Sequence, residues 1–139
     1  KAISTKKKSA PQTTRVLEKI VWVWPLKGKP IAEYSGKNKG IDYQIKKATR
    51  LVAAGKGSVV YEGGGIGGFE NLIIIKHSNQ LLSAYSFNGG TAIKEQQQVN
   101  SGDLLARIKP ASQKSESVHF EVRRNGRPID PSELIKASS

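Results

Sequence analysis

His119 and Glu121 stand two residues apart in the stretch Ser117-Val118-His119-Phe120-Glu121-Val122-Arg123-Arg124. In an extended chain the side chains alternate, so Ser117, His119 and Glu121 share one face while Val118, Phe120 and Val122 share the other. The apolar face is ordinary core. The polar face sets an imidazole beside a carboxylate, a pairing that could meet a metal or a substrate. Asp42, in Asn38-Lys39-Gly40-Ile41-Asp42, offers a second carboxylate, and Ala84-Tyr85-Ser86-Phe87 is a third piece to be placed. Ser117 beside His119 suggests a nucleophile and its base. Side chains at i and i+2 of one strand run parallel, however, and no third orienting group is evident.

The elements that must position these residues read as short strands. Apolar runs at Leu51–Ala54, Ser58–Tyr61, Leu72–Ile75, Leu81–Tyr85 and Leu104–Ile108 are separated by Gly and Asn clusters. That pattern predicts an antiparallel all-β domain, a sandwich or a folded sheet. Ile20-Val21-Trp22-Val23-Trp24 predicts a strand closed by Pro25, with Trp22 and Trp24 on one face. Gly28-Lys29-Pro30 is then a turn, and Glu33 to Gly40 a polar loop ending close to Asp42. Leu72-Ile73-Ile74-Ile75 is apolar on both faces, which predicts a central strand covered on both sides. The Gly63–Gly68 cluster lacks the helix and the Lys-Ser/Thr of a phosphate loop, so it reads as a hairpin. Ile93–Val99 suits a helical turn or a loop, and His77 a turn or core histidine. Asp130, Pro131 and Glu133 carry the cap, first-position and capping-box signs of a short terminal helix through about Ile135.

Composition narrows the partners. With 139 residues the chain has room for one domain with a real core. Residues 1–19, with Lys6-Lys7-Lys8 and few apolar anchors, are expected to be a basic flexible tether before a domain over 20–139. The absence of cysteine excludes disulfides and thiolate metal sites, and no apolar run of about 20 residues is present to span a bilayer. A chain without methionine is expected to be a processed product or part of a longer one. The 23 Lys and Arg against 11 Asp and Glu, formally +12, favour a polyanionic neighbour. Nucleic acid is the less favoured one, because the densest charge lies in the tether and exposed aromatic strand motifs are lacking.

The order of the motifs resembles the LytM or lysostaphin-type zinc metallopeptidases, which cut peptide cross-links in bacterial cell walls. The likeness runs from Trp24-Pro25-Gly28 through Lys39-Gly40-Ile41-Asp42 and the strand Gly57–Tyr61. It continues in Gly68-Phe69-Glu70-Asn71-Leu72, Ser83-Ala84-Tyr85 and Val99–Gly102, and ends with His119-Phe120-Glu121-Val122-Arg123 and Asp130-Pro131. No single piece is specific; their order and spacing are. The resemblance is strongest to the end domain of NlpD-type envelope lipoproteins, whose EnvC-class relatives share the departure from the active enzymes described next.

In active members a histidine, an aspartate and a second histidine hold zinc, and two further histidines assist catalysis. The resemblance places Asn38 where the first zinc histidine belongs, keeps Asp42 and His119, and sets Phe87 and Ser117 at the catalytic histidine positions. Catalytic zinc normally takes three protein ligands and an open water position. An amide oxygen is a poor donor for that ion, and phenylalanine moves no proton. The expectation is therefore a fold of the LytM type with a central groove, no cofactor and no hydrolysis. Inactive domains of this type activate cell-wall amidases, so the resemblance implies an amidase and peptidoglycan as partners, in the periplasm. Membrane association is expected only through an anchor upstream of Lys1. The groove residues expected to meet the partner are Tyr34, Lys37, Lys39, Tyr85 and Arg123 near the rim, with Asn38, Asp42, Phe87, Ser117 and His119 on the floor. The alternatives are a passive peptidoglycan-binding module or an active metalloendopeptidase.

Overall fold

The structure, a computed structural model, describes residues 20–78 and 80–138. The expected tether over 1–19 lies outside the described residues.

Strand β1 (Ile41–Ile45) places Ile41, Tyr43 and Ile45 inward by simple alternation. β2 (Thr49–Val52) follows, then β3 (Gly57–Gly64), β4 (Asn71–Lys76) and β5 (Leu81–Phe87). A two-residue β6 (Gln98–Val99) and β7 (Leu104–Ile108) precede the long β8 (Glu116–Arg124). β9 (Arg127–Ile129) and helix α1 (Pro131–Ala137) close the chain. Seven strands form one antiparallel sheet in the order β9-β8-β5-β4-β3-β6, and β1 also pairs with β8. β2 and β7 form a separate antiparallel ribbon. β1 pairs with residues 116–120 of β8 and β9 with residues 122–124, so both lie end to end along one edge of it.

One hydrophobic cluster joins the two layers. Tyr43, Val59, Ile73, Ile75, Tyr85, Phe87, Val118, Phe120 and Val122 come from the large sheet, while Leu51, Leu105 and Ile108 come from the ribbon. Trp22, Leu26, Ala53 and Ala54 also belong to it. All-β architecture with a short terminal helix is therefore what the chain adopts. The helix begins where its signs place it: the Asp130 side chain accepts from Ser132 N–H at 3.0 Å, with Pro131 following.

Two expectations are corrected. Ile20–Trp24 is extended but makes no ladder; Val23 N–H donates to Ala54 O at 2.8 Å and Val52 N–H to Pro25 O at 2.9 Å. Its two tryptophans also part company, since Trp22 is buried and Trp24 is 39% exposed. The strand Leu72–Ile75 is not covered on both sides. Ile73 and Ile75 enter the core, whereas Leu72 and Ile74 stay half-exposed on the opposite face. The Gly63–Gly68 segment does form a hairpin, with Gly64 paired to Asn71 and Gly65 N–H donating to Glu70 O. Residues 93–97 form a loop rather than a helical turn.

Beneath Trp22 lies a polar chain whose protons can be assigned. His77 Nδ1 is 2.8 Å from Lys56 O, which only accepts, so Nδ1 carries the proton. Nε2 then accepts from Ser83 Oγ at 2.7 Å. With its proton spent, Ser83 accepts from the Tyr85 hydroxyl at 2.7 Å, and the Tyr85 oxygen accepts from Ala54 N–H at 2.9 Å. The Trp22 ring packs on His77 at a centroid distance of 4.6 Å. Burial pushes His77 down to about 4, against the opposing effect of the Lys56 carbonyl, and pushes the Tyr85 phenol up to about 12.

A lowered histidine has a definite pH signature. Unfolded His77 takes up a proton near 6.5 and folded His77 only near 4, so the unfolded state binds more protons in between. Stability from the neutral ring is complete above pH 6.5 and is lost as pH falls toward 4, by at most about 3 kcal/mol. Urea denaturation of the wild type and of H77Q at pH 7 and pH 4.5 checks this. The wild-type advantage shrinks at the lower pH; an advantage unchanged with pH contradicts the assignment.

Candidate functional site

The non-core face of the sheet is a groove. A hollow of about 470 Å³ is lined by Ile66, Gly67 and Phe69 from the β3–β4 hairpin and by Leu72 and Ile74 from β4. Leu82, Ala84 and Ser86 of β5 and His119, Glu121 and Arg123 of β8 complete it. Most of the floor is apolar, and Ile66 at the hairpin tip is 70% exposed. The strand register explains the composition, because Ser86 lies opposite His119 and Ala84 opposite Glu121, all on one face.

Along β8 the polar residues make one continuous chain. Asn38 Nδ2 donates to Asp42 Oδ2 at 3.0 Å and to Glu33 O at 3.3 Å. Asp42 Oδ1 meets His119 Nδ1 at 2.5 Å, and His119 Nε2 meets Glu121 Oε2 at 2.8 Å. Arg123 Nε donates to Glu121 Oε1 at 2.9 Å and Nη1 to Gly126 O at 3.2 Å. With a carboxylate on each nitrogen, the ring is suited to carry both protons. Burial by itself lowers the His119 pKa, but the hydrogen bonds and negative charges of Asp42 and Glu121 outweigh it and raise the pKa above its ordinary value. Asp42 and Glu121 thus flank the ring, and Arg123 holds the far side of Glu121.

Local backbone holds this chain in place. The Ser35 hydroxyl accepts from Lys37 and Asn38 N–H, both at 3.1 Å, which turns the loop so that Asn38 faces Asp42. Asp42 pairs with His119 in the β1–β8 register. Gly40 lets the loop lie against β8: a Cβ there would fall 2.3 Å from Phe120 O and 2.7 Å from Glu121 Cγ. No side chain larger than hydrogen fits.

The residues expected at the site divide into groups. His119 and Arg123 line the hollow, and Asn38 and Asp42 are joined to His119. Ser117 is exposed on the same face of β8, and Lys37 and Lys39 are exposed on either side of Asn38. Tyr34 is half-buried with its hydroxyl donating to Pro128 O at 3.3 Å, against β9. Tyr85 and Phe87 are corrected. Both are fully buried on the core face and take no part in the groove. Parity is the reason, because Ser83, Tyr85 and Phe87 share one face of β5 while Leu82, Ala84 and Ser86 share the other. Glu121, singled out beside His119 but not placed in the expected groove, lines it, and so does an apolar floor that the sequence reading does not contain. For Glu121 the signal was its place beside His119; for Leu72 and Ile74 no sequence feature separates a groove floor from core.

The donor set does not fit the zinc ion that the resemblance brings with it. His119 has one carboxylate on each nitrogen, so Asp42 and Glu121 sit on opposite edges of the ring rather than around one point, and Asn38 beside Asp42 offers only an amide. Among the described residues no group of three or more His, Cys, Asp or Glu side chains is arranged to hold a metal.

Residues 36–131 match the family model described as peptidase family M23. The murein hydrolase activator NlpD of Salmonella dublin is 38% identical over 132 residues, 93% of this chain and 35% of that protein. Outer membrane antigenic lipoprotein B of Haemophilus influenzae is 37% identical over 119 residues, 84% of this chain and 29% of that protein. Among solved structures, Helicobacter pylori Csd3 superposes with a TM-score of 0.71 at 25% identity, covering 83% of this chain and 33% of that one. The chain thus spans about a third of the length of the curated relatives it matches.

The close approach at Gly40 is testable on its own. G40A must push the 33–40 loop off β8 and lengthen the Asp42–His119 contact, at a cost of roughly 1–3 kcal/mol. Chemical denaturation measures the loss, and a loss below about 0.5 kcal/mol shows that the loop can yield.

Proposed function

The chain belongs to peptidase family M23, and on that premise we propose that it is a non-catalytic regulator. It binds and activates a periplasmic N-acetylmuramoyl-L-alanine amidase and so promotes septal peptidoglycan hydrolysis and daughter-cell separation. The observation that carries the reading is the chain Asn38–Asp42–His119–Glu121–Arg123, in which every group that could ligate or transfer a proton is already engaged by a neighbour. The name of the Salmonella relative, a murein hydrolase activator, supports the same role. The lipoprotein name of the Haemophilus relative supports a periplasmic protein tethered to the outer membrane through a segment upstream of Lys1.

A groove with spent polar groups and an apolar floor is a binding surface. Leu72, Ile74, Leu82 and Ala84 offer area to bury, and Ile66 and Phe69 wall one side. Asn38, Asp42, Ser117, His119 and Arg123 form the polar margin of the proposed partner groove, with Tyr34, Lys37 and Lys39 beyond it. Activation then follows from differential binding. An amidase that rests with its own zinc covered is activated by a partner preferring the uncovered form. Moving that equilibrium from 1:99 to 99:1 takes about 5.5 kcal/mol of preference. A standard-sized interface with a few buried apolar anchors supplies that much.

Dye-labelled cell wall with a purified amidase tests the role. Adding the purified chain raises dye release saturably, and I66D raises the concentration for half-maximal stimulation roughly fivefold to tenfold. Absence of any rise at saturating chain removes the reading. Zinc titration at micromolar protein separates it from the metalloendopeptidase alternative. No stoichiometric uptake is expected, and retention of one zinc per chain after dialysis would restore an enzyme.

A further inference from the structure

Arg50 and Arg107 are direct cross-strand partners in the β2–β7 ribbon, and both are exposed. Side chains so paired start about 5 Å apart, where like charges repel and destabilise the pair. Neither guanidinium forms an ion pair or hydrogen bond with any described residue, and the exposed Lys109 adds a third cation beside them. Arg107 and Lys109 stand between two shallow hollows of about 440 Å³ and 330 Å³, both bordered by Gly90. Two carboxylates border the first hollow, Glu70 accepting from Gly89 N–H and Glu116 from Asn88 Nδ2, each at 3.1 Å, and neither pairs with a guanidinium of the ribbon. A cationic pair that no carboxylate engages, with Lys109 beside it and open hollows next to it, is a place for an anion.

We propose that this ribbon face is a second binding surface, apart from the groove, which takes the free carboxylates on the peptide branches of the cell-wall polymer. The proposal rests on the cell-wall reading above and adds where the polymer is held. A guanidinium fork matches a carboxylate bidentately, and the opposed pair presents two forks to neighbouring branches. Repeated carboxylates along one polymer turn weak single contacts into retention. A membrane surface fits less well. The exposed large apolar residues among those described are Val21, Trp24, Ile31, Val60 and Ile66, and none lies on the ribbon to anchor in lipid. The ribbon has no aromatic side chain on which a nucleic acid base could stack.

Co-sedimentation of the full chain with purified cell wall at fixed salt tests the surface. R50Q/R107Q binds about tenfold more weakly than wild type. The control R124Q/R127Q removes the same charge from another opposed pair, in the β8–β9 hairpin, and changes binding less than twofold. Amidating the polymer's carboxylates abolishes the difference between wild type and R50Q/R107Q. Equal loss in both double variants, or none in R50Q/R107Q, overturns the proposal, as does a ribbon-dependent preference for anionic vesicles or an RNA oligonucleotide. Amidase stimulation by wild type is read in parallel. If it is absent while R50Q/R107Q still loses sedimentation, the surface stands and the activator reading falls. If it is present while sedimentation is unchanged, the reverse holds.

Discussion

Strand β8 is the member on which everything else is registered. Its nine residues pair with β5 along one edge and with β1 and then β9 along the other. A single-residue slip would turn Val118, Phe120 and Val122 to the groove and bury His119, Glu121 and Arg123 among aliphatic side chains. Burying those charges without partners costs several kcal/mol each, so the apolar and polar faces enforce one register together. The same pairing that seals the core therefore aligns Asp42 with His119 and Ser86 with His119. Groove geometry is a by-product of core geometry.

Charge balance on the groove wall follows from that alignment. Glu121 is held from both sides, by His119 and by Arg123, and Asp42 is held by His119 and Asn38. Each partner removed from such a set would leave a half-buried charge behind, which makes the chain of contacts mutually dependent. That dependence helps fix the 33–40 loop, whose ends are closed by an isolated bridge between Ala32 and Asp42.

Much of this was legible in the residues. The alternation through 117–124 predicts both faces of β8, and the Asp130-Pro131 cap predicts α1, because both depend on neighbours close in sequence. β1 shows the same alternation in Ile41, Tyr43 and Ile45, yet its pairing to residues some 75 positions away is invisible locally. Ile20–Trp24 has every strand preference and no strand edge to join; a strand is a property of a ladder, not of one segment. Tyr85 and Phe87 were misplaced because a motif read as a line of letters carries no parity, whereas the pleat assigns alternate residues to opposite faces. Leu72 and Ile74 show the deeper limit. An apolar residue facing a groove and one facing a core have the same composition, and only the absence of a covering layer tells them apart.

That absence bears on what the groove is for. The β2–β7 ribbon and the Trp22 segment cover one face of the large sheet, and the other face keeps Leu72, Ile74, Leu82 and Ala84 as an uncovered strip beside Ile66. A metal site contributes to folding when its ligands have nothing else to hold them together. Here the ladder between β1 and β8, the close approach at Gly40 and the His119 contacts already fix the polar wall of the cleft. Shape together with exposed apolar area is what an interface requires. A cleft held by a ladder and by close packing keeps its shape whatever occupies it, and a fixed shape is what recognition needs.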